Sequence, residues 1–402
     1  MNPVPHPVMK RSGSGDAVVL VITPYLHHDG SSLLLFRFLR WAEEHCSNLA
    51  FDVLYRYDGP LRQQLLALSN VRDVKPLLPR KRRILHHIES RFQSREIAQR
   101  LTHANAIYCN TVVGMRCLEE LVETLKIPRQ KLPRISVHVR ELGYWIQRSG
   151  VKPASFSSLA NTIIADSSLT AKNLTSAFSL SNVCIIDEYC DTQEIPQWQG
   201  SDRLRQEYGI PSNRKVVGMS GTIEWRKGPD MFLLIAKRLA ETMTINPPLF
   251  AWVGGGDANA RYQIDSDIKR LGLESSVLFT GPKDNPYPYY SSFDLFLLSS
   301  REEPFGAVCL EAAMLDIPSL CFAGCAGAET FIADGAGLVV DHFDVSAMAE
   351  AVKEMLENGD RRRAAGEEAH RRCLAAHSHD VLLPRLLREV LGGELHASIR
   401  AT

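Results

Sequence analysis

The chain has 402 residues, of which 45% are hydrophobic and 23% charged. That length exceeds the ~250–300 residues at which single cores stop growing, so two domains are expected, and the apolar content excludes disorder over the whole chain. Lys plus Arg and Asp plus Glu number 46 each, so the net charge is zero and nucleic acid is not expected as a partner. Residues 1–16, rich in Pro, Gly, Ser and Lys/Arg, are expected to form a flexible N-terminus, with no signal peptide because no continuous apolar stretch precedes the polar one. Short apolar runs then alternate with helical patterns. The expected strands are Val18–Ile22, Phe51–Leu54, Ala106–Tyr108, Ile135–Val139, Thr162–Ala165 and Val183–Ile186, and Ser31–Glu44 has apolar residues at the three-and-four spacing of a helix lying on a sheet. Solid apolar runs, as opposed to alternating ones, suit parallel strands covered on both faces. The pattern stops over the acidic, aperiodic stretch 187–202 and restarts with Lys215–Met219, Phe250–Val253, Val277–Phe279, Leu295–Leu298, Pro318–Cys321 and Leu338–Val340.

The expectation is therefore an α/β protein with two Rossmann-like parallel-sheet domains facing across a cleft, spanning 17–195 and 196–378. A final helical segment in 379–402 is free to pack on either. Nine scattered cysteines without a Cys-x-x-Cys pair read as reduced thiols of a cytoplasmic protein. No run of 18 apolar residues occurs, so no bilayer span is expected.

Open parallel sheets bind ligands at the carboxyl ends of their strands, so the loops after strands carry the interest. Leu295–Leu298 runs into SSREEPFGAVCLEAAMLDIP, where Glu303 and Glu311 are eight apart around a Pro/Gly turn. A helix expected from near Gly306 would offer free amides to an anion, and a carboxylate there can accept bonds from sugar hydroxyls. The competing reading is a capped helix start with two surface glutamates. After Lys215–Met219 comes SGTIEWRKGPD, where a cation reaching a diphosphate would neutralise charge on a departing nucleotide.

Four stretches together resemble the retaining glycosyltransferases of family four: G-x-x-x-W-R-K-G at 221–228, A-W-V-G-G-G at 251–256, L-F-T-G at 278–281 and S-R-E-E-P-F-G-A-V-C-L-E-A-A at 300–313. The resemblance implies the two-domain GT-B type of fold and a nucleotide-diphosphate sugar, of UDP or GDP type, as donor. It places Glu311 on the ribose, Glu303 on donor-sugar hydroxyls, and the backbone of Phe305, Gly306 and Ala307 beside the sugar and diphosphate. Lys227 becomes the diphosphate cation. The family's accompanying arginine would fall six residues earlier, where this chain has Gly221, so Arg226 or another residue must compensate. The backbone around Lys283 would border the base. In the first domain the Gly30 loop would let acceptor and phosphates approach. His138, in His138-x-Arg140-Glu141-Leu142, would lie near the donor sugar, although a lone strand-end histidine is as often a structural polar residue.

No general base stands out, and the resemblance favours front-face transfer in which the donor phosphate takes the acceptor proton. No catalytic metal is expected, because Asp265-Ser266-Asp267 falls in a helical pattern. Residues 71–100 carry nine Lys/Arg against three acidic residues. Arg80, Lys81, Arg82 and Arg83 head a helix with Leu85, Ile88 and Phe92 on one face. This suits an anionic membrane surface and peripheral attachment inside the cell; a plain solvated face and, more weakly, RNA are the other readings. The function expected is hexosyl transfer to a saccharide or lipid-linked saccharide in envelope polysaccharide synthesis. A sugar-nucleotide epimerase and a non-catalytic sugar-nucleotide binder stand beside it.

Overall fold

The computed structural model describes residues 17–77, 87–243, 245–393 and 398–399. Residues 1–16 and the basic cluster Arg80, Lys81, Arg82 and Arg83 lie outside the described residues. The chain divides into two compact units. One holds the residues up to Ile186 together with those from Leu383 onward, and the other is Asp187–Leu382.

The first unit is built on seven parallel strands: β1 (Ala17–Tyr25), β2 (Leu49–Tyr57), β3 (Val71–Pro76), β4 (Ala106–Asn110), β5 (Arg134–Val139), β6 (Thr162–Ala165) and β7 (Val183–Ile185). Their order is β3-β2-β1-β4-β5-β6-β7. Strand β3 is not among the apolar runs that predict strands. It is an edge strand, paired among the described residues only with β2, and of its six residues only Val71 and Val74 are buried in place of a solid apolar run. Helix α1 (Gly30–His45) starts where Asp29 accepts from the Ser32 amide at 3.0 Å, and it buries Leu34, Leu35, Phe38, Leu39, Trp41 and Ala42 on one stripe. Helix α2 (His87–His103) anchors through Ile97 and Leu101, whereas Phe92 is exposed. Helix α3 (Thr111–Leu125) lies directly against β1: a Cβ on Gly114 would come within 2.7 Å of the Ile22 carbonyl oxygen.

The second unit has six parallel strands: β8 (Val216–Ser220), β9 (Leu249–Val253), β10 (Val277–Phe279), β11 (Leu295–Leu298), β12 (Ser319–Phe322) and β13 (Gly337–Val340). They are ordered β10-β9-β8-β11-β12-β13. Helix α4 (Pro229–Thr242) packs Phe232 edge-on against Phe250 and Trp252, with ring centroids 5.2 and 5.4 Å apart. Helix α5 (Ala258–Leu271) carries Asp265 and Asp267, and Asp265 accepts from Arg261 at 3.0 Å. Among the described residues no helix is long and apolar enough to cross a membrane.

Both sheets place their first strand centrally, build outward to one side, then return to the other. The order reverses between β1 and β4 in the first unit and between β8 and β11 in the second. Such reversals leave a crevice at the carboxyl strand ends, where ligands of open α/β sheets bind.

Candidate active site

At the reversal in the second unit, the loop after β8 and the loop after β11 are bonded to one another. The Arg226 carbonyl accepts from the Arg301 amide at 2.7 Å, and the Lys227 carbonyl accepts from the Ser299 hydroxyl at 3.1 Å. Gly228 permits this approach. It sits at φ +64°, and a Cβ there would fall 2.1 Å from the Ser299 carbonyl oxygen.

Glu303 is 7% exposed and receives two cations. Its Oε2 pairs with Lys227 Nζ, its Oε1 with Arg226 Nη1 at 3.2 Å, and Ser300 Oγ donates to Oε2 at 3.2 Å. Burial works to raise the pKa of this carboxyl, but Lys227 and then Arg226 outweigh it and hold the group below the usual carboxylate range. The loop beneath is fixed by the Glu303 amide donating to the Cys325 carbonyl at 2.8 Å and by the Ala328 amide donating to the Phe305 carbonyl at 2.8 Å.

Gly221, where the resemblance would put an arginine, has φ +148° and donates its amide to the Val253 carbonyl at 3.1 Å. A Cβ there would press on the Lys227 stem at 3.3 Å. The conformation disfavours any side chain, and the second cation on Glu303 comes instead from Arg226.

Gly306 follows at φ +102°. The helix after it, α6 (Val308–Ala313), begins two residues later than the sequence suggests and is only six residues long, with Ala307 at its N-cap. A helix dipole therefore adds little here, and turn backbone is what the segment offers. Glu311 lies in α6, partly exposed, with Tyr287 Oη 3.4 Å from its Oε1. Phe305 is buried against His377, centroids 5.4 Å apart. Lys283 has partners of its own. Its ammonium bonds Glu207 at 2.6 Å and the Tyr208 hydroxyl at 3.2 Å, and lies 4.7 Å from the Tyr289 ring centroid. These partners hold Glu207 down at about 2 and push Lys283 up, its partial burial notwithstanding.

In the first unit Gly30 opens α1, and Asp29 is its cap, also accepting from the Ser31 hydroxyl at 2.8 Å. His138 is wholly buried within β5. Its Nδ1 meets the Tyr108 hydroxyl at 2.9 Å, and Nε2 has no partner among the described residues. Burial, and secondarily Arg140, push its pKa well below the ordinary histidine value, so the ring is neutral.

Around it the structure gathers Asn110 and Thr111, at the end of β4, with Arg140 and Glu141 of the His138 segment. Asn110 donates to Thr23 Oγ1 at 3.3 Å and to the Ser31 carbonyl at 3.2 Å, and accepts from Arg140 at 2.7 Å. Thr111 has φ +75°, a strained value for a β-branched residue. Glu141 accepts from the amides of Val112 and Arg140 at 3.2 and 2.9 Å. Burial pushes its carboxyl up to about 7 against those bonds. The position of Glu141 at a strand end was visible in the sequence; the strain at Thr111 has no sequence signal. Among the described residues no three His, Cys, Asp or Glu side chains converge as a metal site.

Comparison with known proteins bears on the second unit most directly. Residues 200–372 match the family model for glycosyl transferases group 1. A D-inositol 3-phosphate glycosyltransferase of Corynebacterium urealyticum is 29% identical over 178 residues, which is 42% of each chain. The lipopolysaccharide core biosynthesis glycosyltransferase LpsE of Rhizobium meliloti is 26% identical over 199 residues, covering 48% of this chain and 56% of LpsE. Matches of this kind span about half the length of the curated relatives. Among solved structures, Anabaena Alr3699/HepE in complex with UDP and glucose superposes with a TM-score of 0.75 at 16% identity, over 94% of this chain and 100% of that one. WaaG, a glycosyltransferase involved in lipopolysaccharide biosynthesis, superposes with a TM-score of 0.68 at 16% identity, over 94% and 100%. These likenesses show the fold, a pair of Rossmann-like parallel-sheet domains.

Proposed function

We propose that the protein is a retaining glycosyltransferase that moves a hexosyl group from a nucleoside-diphosphate sugar to a saccharide or lipid-linked saccharide. The observation that carries this reading is the buried Glu303 carboxylate bound by Lys227 and Arg226 at the sheet's reversal point, with Glu311 eight residues on. In this reading Lys227 meets the diphosphate, Glu303 orients donor-sugar hydroxyls, and Glu311 accepts from the ribose. The backbone at Phe305, Gly306 and Ala307 borders the sugar. UDP bound to HepE, and the names of LpsE and WaaG, support a nucleotide sugar and an envelope glycan as the substrate classes.

The bond that breaks joins the anomeric carbon to the diphosphate oxygen, and the charge left on that oxygen is met by Lys227 and Arg226. The acceptor hydroxyl bonds the same face of the anomeric carbon, and its proton passes to the departing phosphate. No protein side chain has to act as nucleophile or base. His138, neutral and with Nε2 unpartnered, is assigned a hydrogen bond to a sugar hydroxyl, a task that needs no proton transfer. Gly30 and Lys283 are assigned backbone contacts only, since the Lys283 ammonium is already engaged.

The test is a thermal-shift screen of UDP, GDP, ADP and TDP sugars, followed by product analysis of the stabilising donor with a panel of acceptors. Transfer with retained anomeric configuration supports the reading. Turnover of donor alone to an epimer, or binding without any turnover, replaces it.

A further inference from the structure

We infer that Trp225, clasped by Arg301, is a stacking platform for a pyranose ring beside the Lys227–Glu303 pair. This rests on the glycosyltransferase reading and adds to it a sugar-binding residue outside the Glu303–Glu311 segment. Of the five tryptophans, Trp41 and Trp252 are buried, as large aromatics usually are, whereas Trp225 is 63% exposed and lies two residues before Lys227.

The indole is not a loose surface side chain. The Arg301 guanidinium lies over its ring, 5.4 Å from the centroid, and Arg301 Nη1 donates to the Trp225 carbonyl at 3.0 Å. That guanidinium is in turn gripped by both carboxylate oxygens of Asp230, at 2.7 and 2.5 Å. The Trp225 carbonyl also accepts from the Gly228 amide at 3.1 Å, closing the turn. A cation covers one face and fixes the ring, and the remaining surface is left to solvent. A ring held open in this way at the carboxyl end of a sheet is preorganised for a ligand.

The surroundings select the ligand class. A pyranose has an apolar C–H face and a rim of hydroxyls, which matches an indole clasped by Arg301 and flanked in the chain by the bonded pair Glu224 and Arg226. A nucleobase is disfavoured, because the loop assigned to the base follows β10, two strands from β8 in the sheet. An acyl chain is disfavoured because a single ring among charges is not an apolar patch. The donor's sugar and a ring of the acceptor share the chemistry that Trp225 would recognise.

Trp225→Ala and Trp225→Phe separate the possibilities. Calorimetry is run with UDP against UDP-glucose and with GDP against GDP-mannose, and the purified protein is applied with nucleotide to a printed glycan array. Bare nucleotide should bind all three proteins equally. Sugar-dependent binding should fall about tenfold in the alanine variant and largely return in the phenylalanine variant. Loss in the nucleotide-sugar arm assigns the ring to the donor, and loss on the array assigns it to the acceptor. No change in either arm, equal loss for the bare nucleotide, or a wild-type protein that binds neither probe overturns the inference. Glu311→Ala, run alongside, reports on the broader reading. Unchanged nucleotide affinity there would sink the donor site whatever Trp225 does.

Discussion

Glu303→Gln should tighten the binding of bare nucleoside diphosphate while abolishing most turnover. In the ligand-free protein Lys227 and Arg226 are already neutralised by the Glu303 carboxylate, which their field keeps ionised well below pH 7. An arriving diphosphate meets one negative charge at close range. At a separation of ~6 Å and an effective dielectric of ~20, that repulsion is about 3 kcal/mol, and solvent and salt should leave about 1–2 kcal/mol of it. Removing the charge should therefore improve affinity for UDP or GDP roughly five- to thirtyfold, more at low salt. The same change leaves two cations without their partner and should cost about 3 kcal/mol of folding stability. Calorimetry at low and moderate ionic strength, on protein shown to be folded by circular dichroism, measures the first effect; denaturant titration measures the second. Turnover should fall because glutamine is a weaker acceptor for the sugar hydroxyls. Folded Glu303→Gln protein whose nucleotide affinity is unchanged or weaker would refute the competition between carboxylate and diphosphate.

Glu311→Ala should weaken nucleotide binding by ~1.5–3 kcal/mol, the worth of a hydrogen bond to a charged group, as read by calorimetry. Gly221→Arg should not repair the motif. With φ +148° and the Lys227 stem at 3.3 Å, it should lower stability by about 1–3 kcal/mol in thermal unfolding, and a stabilised, more active variant would contradict this. Glu141 holds its proton in the folded state up to about pH 7 but loses it in the unfolded chain near the ordinary carboxylate value. Native protein therefore binds the extra proton between those limits, and stability should fall as pH rises across them, by up to about 3 kcal/mol. Glu141→Gln should flatten that slope between pH 5 and 8 in denaturant titrations, and a wild-type curve already flat would dismiss the raised pKa.

How far the sequence reached depends on where each signal lies. Buried parallel strands such as Val216–Ser220 and Leu295–Leu298 are solid apolar runs, and their periodicity is local. Val71–Pro76, at the sheet edge, buries only Val71 and Val74, so the same criterion passes over it. The carboxylates at 303 and 311 stand out because their turn is written in consecutive residues. The pairing of Arg226 with Glu303 joins residues 77 apart and exists only because two loops meet at one sheet reversal. For His138, alternation along a strand leaves two faces, and only the fold chooses the one beneath Tyr108. The engagement of Lys283 by Glu207 likewise depends on a segment that shows no motif.

The division of the chain has a consequence for how the molecule is made. The second unit, Asp187–Leu382, is continuous, whereas the first is interrupted by it. Strand β5 is completed from far away: Arg134 and Ser136 both donate to the carbonyl of Glu389, at 3.2 and 3.0 Å, across some 250 residues of intervening chain. During synthesis the inserted unit emerges whole and is free to fold while the earlier one still lacks its last helical segment. Docking of that segment must wait for the whole insertion to be made, and an incompletely covered parallel sheet is a surface that invites association. Refolding from denaturant should accordingly be biphasic. The fast phase would be reported by the buried Trp252 of the inserted unit, and the slow phase would belong to docking of the segment around Glu389 on β5. Chaperone dependence in the cell would fall on the half of the protein that is translated first and finished last.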